Sequence, residues 1–313
     1  MRWEISQADR NYLGVSMKQA LSILFFLTWM SISHAESEEA WIYELKGAGG
    51  MGCLVFVTHL SPHPIGESKR ISRCLENASA IAFETDPTIP IQSLWTGFER
   101  SPAEPSLKDL AVDPARLSLA LHHAGYTERE ISYVKKLHPA GIYRALFYSS
   151  VFATQVALLP NIDIELAKRY KGTTIQLISL EGMLAFYRNE KKLSSETAGL
   201  YINRLCDVFL DPERLETTLK NIEEYAMTVS VLPNAESSYN RKVFFNTQIL
   251  GLPLDSVEHD VGNRNRAIAG GILKTLQAHK KSVLFVGADH LGGPQSLLKA
   301  IAVMGIDSEL LQY

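Results

Sequence analysis

Residues 282–312 read SVLFVGADHLGGPQSLLKAIAVMGIDSELLQ, and residues 54–84 read LVFVTHLSPHPIGESKRISRCLENASAIAFE. Each stretch runs from an apolar strand to a histidine, through a helical pattern, and into a second short strand. The strands read from the sequence are 54–59 and 80–84 in one unit, and 282–286 and 308–312 in the other. Short apolar runs bounded by glycine and polar residues fit strands buried on both faces. His59 and His290 each fall just past the C-terminal end of the first strand of their unit, the place where open α/β sheets bind ligands. The expectation is therefore an α/β fold. Its small mixed β-sheet is built from the two similar terminal units, flanked by helices, with a long helical insert between them and both histidines on one edge.

Outward from these units, residues 41–45 (WIYEL) add a strand joined to 54–59 by a turn over 47–52. Residues 86–106 are rich in proline and polar side chains and read as a loop. Residues 107–168 are helical in pattern, with Gly125 and Pro139 as breaks, and 173–179 return to strand character. Residues 180–230 are helical again. A further helix is expected to begin at Asn263-Arg264, with Ile268, Ile272 and Leu276 on one face.

Met17-Lys18 opens an apolar run over residues 20–32 that ends at Ser33-His34-Ala35. A positive start, a short apolar stretch and small residues before a cleavage point read as a secretory signal. The run is shorter than the roughly 20 residues of a membrane span. The expected start is Met17 and the expected cleavage follows Ala35. Residues 1–35 are then leader and residues 41–313 one domain, periplasmic or secreted, with no stable membrane span after cleavage; an uncleaved anchor is the alternative. Among 313 residues, 46% are hydrophobic and 21% charged, with a formal charge of −3, so the chain lacks the basic footprint of a nucleic-acid binder. Cys53, Cys74 and Cys206 have no C-x-x-C spacing. In an oxidising compartment one pair can form a disulfide, but the sequence does not choose it over three buried thiols.

Several familiar signatures fail on inspection. Gly47-x-Gly49-x-x-Gly52 follows a strand, but Cys53 to Val57 after it is strand-like, whereas a dinucleotide site needs a helix there. A hairpin is the better reading. H-E-x-x-H and G-x-S-x-G do not occur. In His59-x-x-x-His63, Pro62 and Pro64 forbid the helix that would align the two rings. His122-His123 points to opposite sides of a helix and reads as filler.

The informative residues are scattered. They are Val57-Thr58-His59, Phe83-Glu84, Ile162-Asp163-Ile164, Leu180-Glu181, Arg264-Asn265 and Gly287-Ala288-Asp289-His290, with Gly292 after it. In this pattern, from about Trp41 to the C-terminus, the chain resembles the TraB/GumN family, which is related to the Tiki metalloproteases and more distantly to ChaN-like haem-binding proteins. The C-terminal Gly-x-x-His and the Arg-Asn pair fit closely. Phe56 and Val57 stand where the family's first Gly-x-x-His begins, and Asn161 replaces the glycine of its middle motif. Phe56 in place of glycine implies a reshaped first half-site or a site without catalysis.

The resemblance implies an exported metal-dependent hydrolase of the Tiki-like metallopeptidase type. His59, Glu84 and His290 would bind a divalent ion (Mn, Co or Zn), while Glu181, Arg264 and Asn265 assist catalysis on a peptide or protein substrate. Two imidazoles and a carboxylate suit such an ion and leave a position for water. Arg264 and Asn265 would stabilise charge on a carbonyl oxygen, and Glu181 would act as base or orient a ligand. Each residue also has a plain structural reading: satisfied histidines, a solvated strand end at Glu84, a helix-terminal Glu181, an Arg264 paired only with Asp260, and an Asp163 that merely starts a helix. The alternative function is a non-catalytic periplasmic protein that sequesters haem, a metal or a signalling peptide, with Tyr143, Tyr148 and Tyr187 as candidate supports for haem. A third reading, a structural partner in an envelope complex, predicts neither metal nor turnover.

Overall fold

The computed structural model describes residues 41–57, 69–87, 95–154, 161–229, 235–249 and 253–311. The predicted leader and His59 lie outside them. The described residues belong to one compact unit, and none of their helices is long and apolar enough to cross a membrane.

Six strands form one mixed sheet. In chain order they are β1 (Trp41–Gly47), β2 (Gly50–Val57), β3 (Ala80–Phe83), β4 (Gln176–Ser179), β5 (Lys281–Gly287) and β6 (Asp307–Leu310). Their lateral order is β4-β3-β5-β2-β1-β6. β4, β3, β5 and β2 run parallel to one another, and β1 is antiparallel to both of its partners, β2 and β6. The two terminal units thus interleave: β5 of the second lies between β2 and β3 of the first. The predicted α/β architecture is the one observed.

β1 and β2 form the expected hairpin, but its turn is shorter than the glycine run suggested. Gly47 pairs with Gly50, and only Ala48 and Gly49 turn, at φ 53° and 88°. Positive φ at both central residues matches the right-handed twist of the strands. Cys53, within β2, is bonded to Cys74 of helix α1 (Lys69–Leu75).

Both faces of the sheet are covered. On one, Val55, Ile81 and Phe285 pack against Ile71 of α1 and Leu166 of α5 (Ile162–Tyr170). On the other, Leu54, Phe56, Leu284 and Val286 meet Ile268, Ile272 and Leu276 of a long helix. The intervening insert contains α2 (Pro114–His123), α3 (Glu128–Val134), α4 (Pro139–Phe152), α6 (Met183–Glu190), α7 (Ser195–Leu210) and α8 (Pro212–Val229). It holds its own core, in which Leu117, Leu121, Leu146 and Leu205 meet. Pro139 begins α4 rather than merely interrupting a helix, because the first helical position has no N–H bond to lose. α9 (Ala235–Phe244) continues into a π-helical turn.

The long helix, α10 (Leu254–Ala278), corrects the expectation that Asn263-Arg264 opens a helix: both lie in its middle. Its 25 residues span about 37 Å at 1.5 Å per residue. The seven residues of β5 reach only about 23 Å. Because α10 enters β5 through a short connection, it runs back along the sheet and its N-terminal half overhangs the strands' C-terminal ends. Its apolar stripe of Leu276, Ile272 and Ile268 continues one turn further as Arg264. α11 (Leu297–Val303) then leads to β6.

Gly271 sets how closely α10 lies. A Cβ there would be 2.0 Å from the Leu180 carbonyl oxygen, whereas a Cβ on Gly270 meets nothing within 4 Å. Gly270→Ala is expected to stabilise by about 0.5–1 kcal/mol, as glycine's helix penalty is relieved. Gly271→Ala is expected to cost about 2 kcal/mol through forced displacement. Urea unfolding of the two variants checks this opposition of sign. Burial pushes the Cys206 thiol up to about 11. The unreduced native protein should therefore give no thiol reaction near pH 8, one thiol after denaturation, and three after reduction. Loss of the 21-residue Cys53–Cys74 link should cost about 3 kcal/mol.

Candidate functional site

Three adjacent parallel strands end together, and each is followed by a polar residue. Glu84 comes directly after β3, Glu181 two residues after β4, and His290 closes a short 3-10 turn, Ala288–His290, after β5. The backbone ladder runs on beyond β3 and β4, with Leu180 N–H donating to Phe83 O at 2.8 Å and Glu181 N–H to Glu84 O at 2.9 Å. This extension fixes both glutamates at the edge. All three side chains are buried: Glu84 is 4%, Glu181 6% and His290 1% exposed.

The overhanging part of α10 supplies their partners. Arg264 Nη2 donates to Glu84 Oε1 at 3.0 Å and to Glu181 Oε2 at 3.2 Å, and its Nε reaches the same Glu181 oxygen at 3.3 Å. Glu84 Oε2 accepts from the Gly287 N–H at 3.1 Å. Burial disfavours the Arg264 cation, but Glu84 and then Glu181 outweigh it and raise its pKa above the ordinary guanidinium value.

Asn265 decides the state of His290. Its Nδ2 donates to the Gln295 carbonyl at 2.6 Å, so its Oδ1 is the atom turned to His290 Nδ1. An amide oxygen only accepts, and Nδ1 therefore carries a proton. His290 Nε2 then faces Glu84 Oε1 at 2.9 Å. Two states satisfy that contact: an imidazolium donating to the carboxylate, or a neutral ring whose lone pair is aimed at a cation shared with it. Both ends of the Asn265 amide are engaged, the nitrogen by the Gln295 carbonyl and the oxygen by His290.

Glu84, Glu181, Arg264, Asn265 and His290 are thus brought together, and Asp289 and Lys242 join them. Lys242 of α9 pairs with Asp289 Oδ2, and Asp289 Oδ1 lies 3.8 Å from His290 Nε2. Burial opposes ionisation of Asp289, but Lys242 and His290 prevail and hold its carboxyl below the usual range. Asp289 was visible in the sequence beside His290. Nothing in the sequence singled out Lys242, which arrives from a separate helix. Asp163 sits in the first turn of α5, whose cap is Asn161, accepting from Ile164 N–H at 3.0 Å. That bond gives Asn161 a structural reason to stand where the family has glycine. Phe56 likewise fills the core, edge-on to Tyr43 with ring centres 5.8 Å apart.

The donors suit a divalent ion. One imidazole nitrogen and one carboxylate oxygen converge, and the outward-turned ring nitrogen is fixed by an amide, as metal-binding histidines commonly are. Among the described residues, no three His, Cys, Asp or Glu side chains are grouped to hold a metal. Glu84 and His290 are the described part of the predicted set.

A buried carboxylate–arginine–histidine cluster at the strand ends of a mixed sheet is a site of the α/β type. The chain matches the TraB/PrgY/gumN family over residues 57–309, most of its length, and belongs to that family. No curated relative and no solved structure matches it.

Removing Arg264 takes the shared guanidinium away from two buried carboxylates. Arg264→Leu is expected to cost about 3–5 kcal/mol. The double variant Glu84→Gln/Glu181→Gln, with like charges removed from both sides of position 264, should make the further change Arg264→Leu cost much less. A denaturation-based mutant cycle measures the difference.

Proposed function

We propose that the chain is an exported metal-dependent hydrolase that cleaves peptide bonds, with His290, Glu84 and His59 holding the ion. One observation carries this reading: the Nδ1-protonated His290 turns its Nε2 toward Glu84 Oε1 at 2.9 Å. Family membership supports the same choice. The chemistry supplied by a bound divalent ion is Lewis acidity, which brings the pKa of a water toward about 7.

The protein's own residues divide the remaining work. Asn265 keeps the His290 ring in register and in one tautomer. Arg264 compensates the charge of both glutamates, and its side chain, 23% exposed, can face a carbonyl oxygen that gains negative charge. Glu181, whose side chain has no exposure, holds Arg264 in place, a role that fits its enclosure better than proton transfer to a substrate. Export is supported by the Cys53–Cys74 disulfide, a bond that persists in oxidising compartments.

A second reading, a binding protein without turnover, is favoured by one feature. Both Glu84 oxygens are already engaged, by Arg264, His290 and Gly287, and a cluster closed on itself can persist as inherited scaffold. Haem support from the tyrosines gains nothing here. Tyr143 packs against Phe147 and Tyr201, Tyr148 against Trp95, and Tyr187 against Phe98, all within the aromatic packing of the insert.

Metal analysis of the purified chain separates the readings. The hydrolase reading expects near-stoichiometric Mn, Co or Zn, lost in His59→Ala/His290→Ala. It also expects affinity lowered about 10–100-fold in Asn265→Leu, where the ring loses its orienting partner, and chelator-sensitive peptide cleavage. No metal after reconstitution with each ion overturns it and leaves the binding reading.

A further inference from the structure

The two edges of the sheet differ in what they present. β6 ends one side, and all its residues are exposed, the acids Asp307 and Glu309 among them. Charges of that kind guard an edge against pairing with another chain. β4 ends the other side and reads Gln176-Leu177-Ile178-Ser179, without charge or proline. Among the described residues it pairs with β3 alone. Gln176 N–H donates to Ser79 O at 3.1 Å and Leu180 N–H to Phe83 O at 2.8 Å. The alternate residues Leu177 and Ser179 therefore turn their N–H and C=O groups outward. No described residue bonds these outward backbone groups. Apolar surface accompanies them. Leu177 is half-buried against the core on one face of the sheet, and Ile178 is half-buried against the core on the other. Just past the strand, a Cβ on Gly182 would meet nothing within 4 Å.

We propose that the outer edge of β4 captures an extended segment of a polypeptide substrate as an added strand. Donors and acceptors alternating in strand register are matched by another extended backbone. Leu177 and Ile178 lie on opposite faces, so the added strand covers both with its alternate side chains. That selects strand-forming residues with apolar surface at every position. The edge also leads to the site, since β4 continues through Leu180 into Glu181. The added strand would lie two strand spacings from β3, about 10 Å, and Glu84 follows β3 directly. An extended chain crosses that distance in about three residues. A substrate therefore has to be unfolded and long, with about four residues held on the edge and about three more to reach Glu84. The captured chain's role as substrate rests on the hydrolase reading, whereas its binding to the edge does not.

Fluorescence polarisation of the chelator-treated chain with a labelled eight-residue peptide of alternating valine and threonine tests it without metal or turnover. The peptide should bind with a Kd of about 100 μM or tighter. The same peptide N-methylated at every residue keeps its side chains, loses its N–H groups and should not bind. Leu177→Pro removes one outward N–H while sparing the bonds to β3, and should weaken binding about fivefold. Leu177→Lys installs an edge charge without touching the backbone and should also weaken it, a readout that survives if the proline variant does not fold. The proposal is overturned if the peptide fails to bind at about 1 mM, if the N-methylated peptide binds as tightly, or if Leu177→Lys binds like the parent. It is equally overturned if the parent sediments as a dimer that Leu177→Lys dissolves, because a second copy then occupies the edge. Peptide binding by a chain that takes up no metal overturns the hydrolase reading alone, and metal uptake without peptide binding overturns the edge proposal alone.

Discussion

Two carboxylates at neighbouring strand ends, both shielded from water, share one guanidinium. Arg264 touches Glu84 and Glu181, and its planar fork makes three donor contacts where an ammonium would act as a point charge. The consequences run outward through the structure. α10 must overhang the sheet far enough to deliver position 264, and it must lie close enough to deliver it accurately. Gly271, pressed against the Leu180 carbonyl, meets the second demand. The first is met by length, since the helix begins ten residues before Arg264.

That overhang marks where sequence reasoning was sound and where it failed. The strands announced themselves because their apolar runs at 54–57, 80–83 and 282–286 are short, continuous and bounded by polar or glycine residues. The start of α10 stayed hidden because Leu254, Val257 and Val261 are sparsely set among charged residues and Gly262 looks like a boundary. A helix that leaves the sheet no longer needs a wide apolar face, so its hydrophobic periodicity fades where it begins to serve the site. The hairpin turn was read too long for a related reason: Gly50 and Gly52 suggest a loop by composition, yet both pair with β1.

The site was legible in its residue types and not in its contacts. Spacing along the chain cannot show that Glu84 and Glu181 share one arginine, since residues 84, 181 and 264 meet only through the order β4-β3-β5 and the helix above it. Nor can it show which end of Asn265 faces His290; that follows from the Gln295 carbonyl, thirty residues away. Lys242 lies in a helix with no pattern marking it as functional. A lone lysine on a half-polar helix reads as surface until the fold sets it against Asp289.

The insert and the sheet are also joined electrostatically. Glu181 and Glu190 bracket α6, the first at the strand end and the second at the helix's far end. Glu190 is gripped by Arg144 of α4 through two bonds, Nε to Oε2 at 2.7 Å and Nη2 to Oε1 at 2.5 Å. Burial works against the Arg144 cation, but Glu190 raises its pKa well above the ordinary value. The two ion pairs also feel each other, because Glu190 raises and Arg144 lowers the pKa of Arg264. α6 is therefore tied at one end to the strand-end cluster and at the other to the insert's core, where Phe186 packs edge-on to Phe98. A shift of the insert along α6 would stretch the Glu181–Arg264 ion pair. The cost of that state holds the insert in register with the sheet, so the helical insert is part of the architecture of the site.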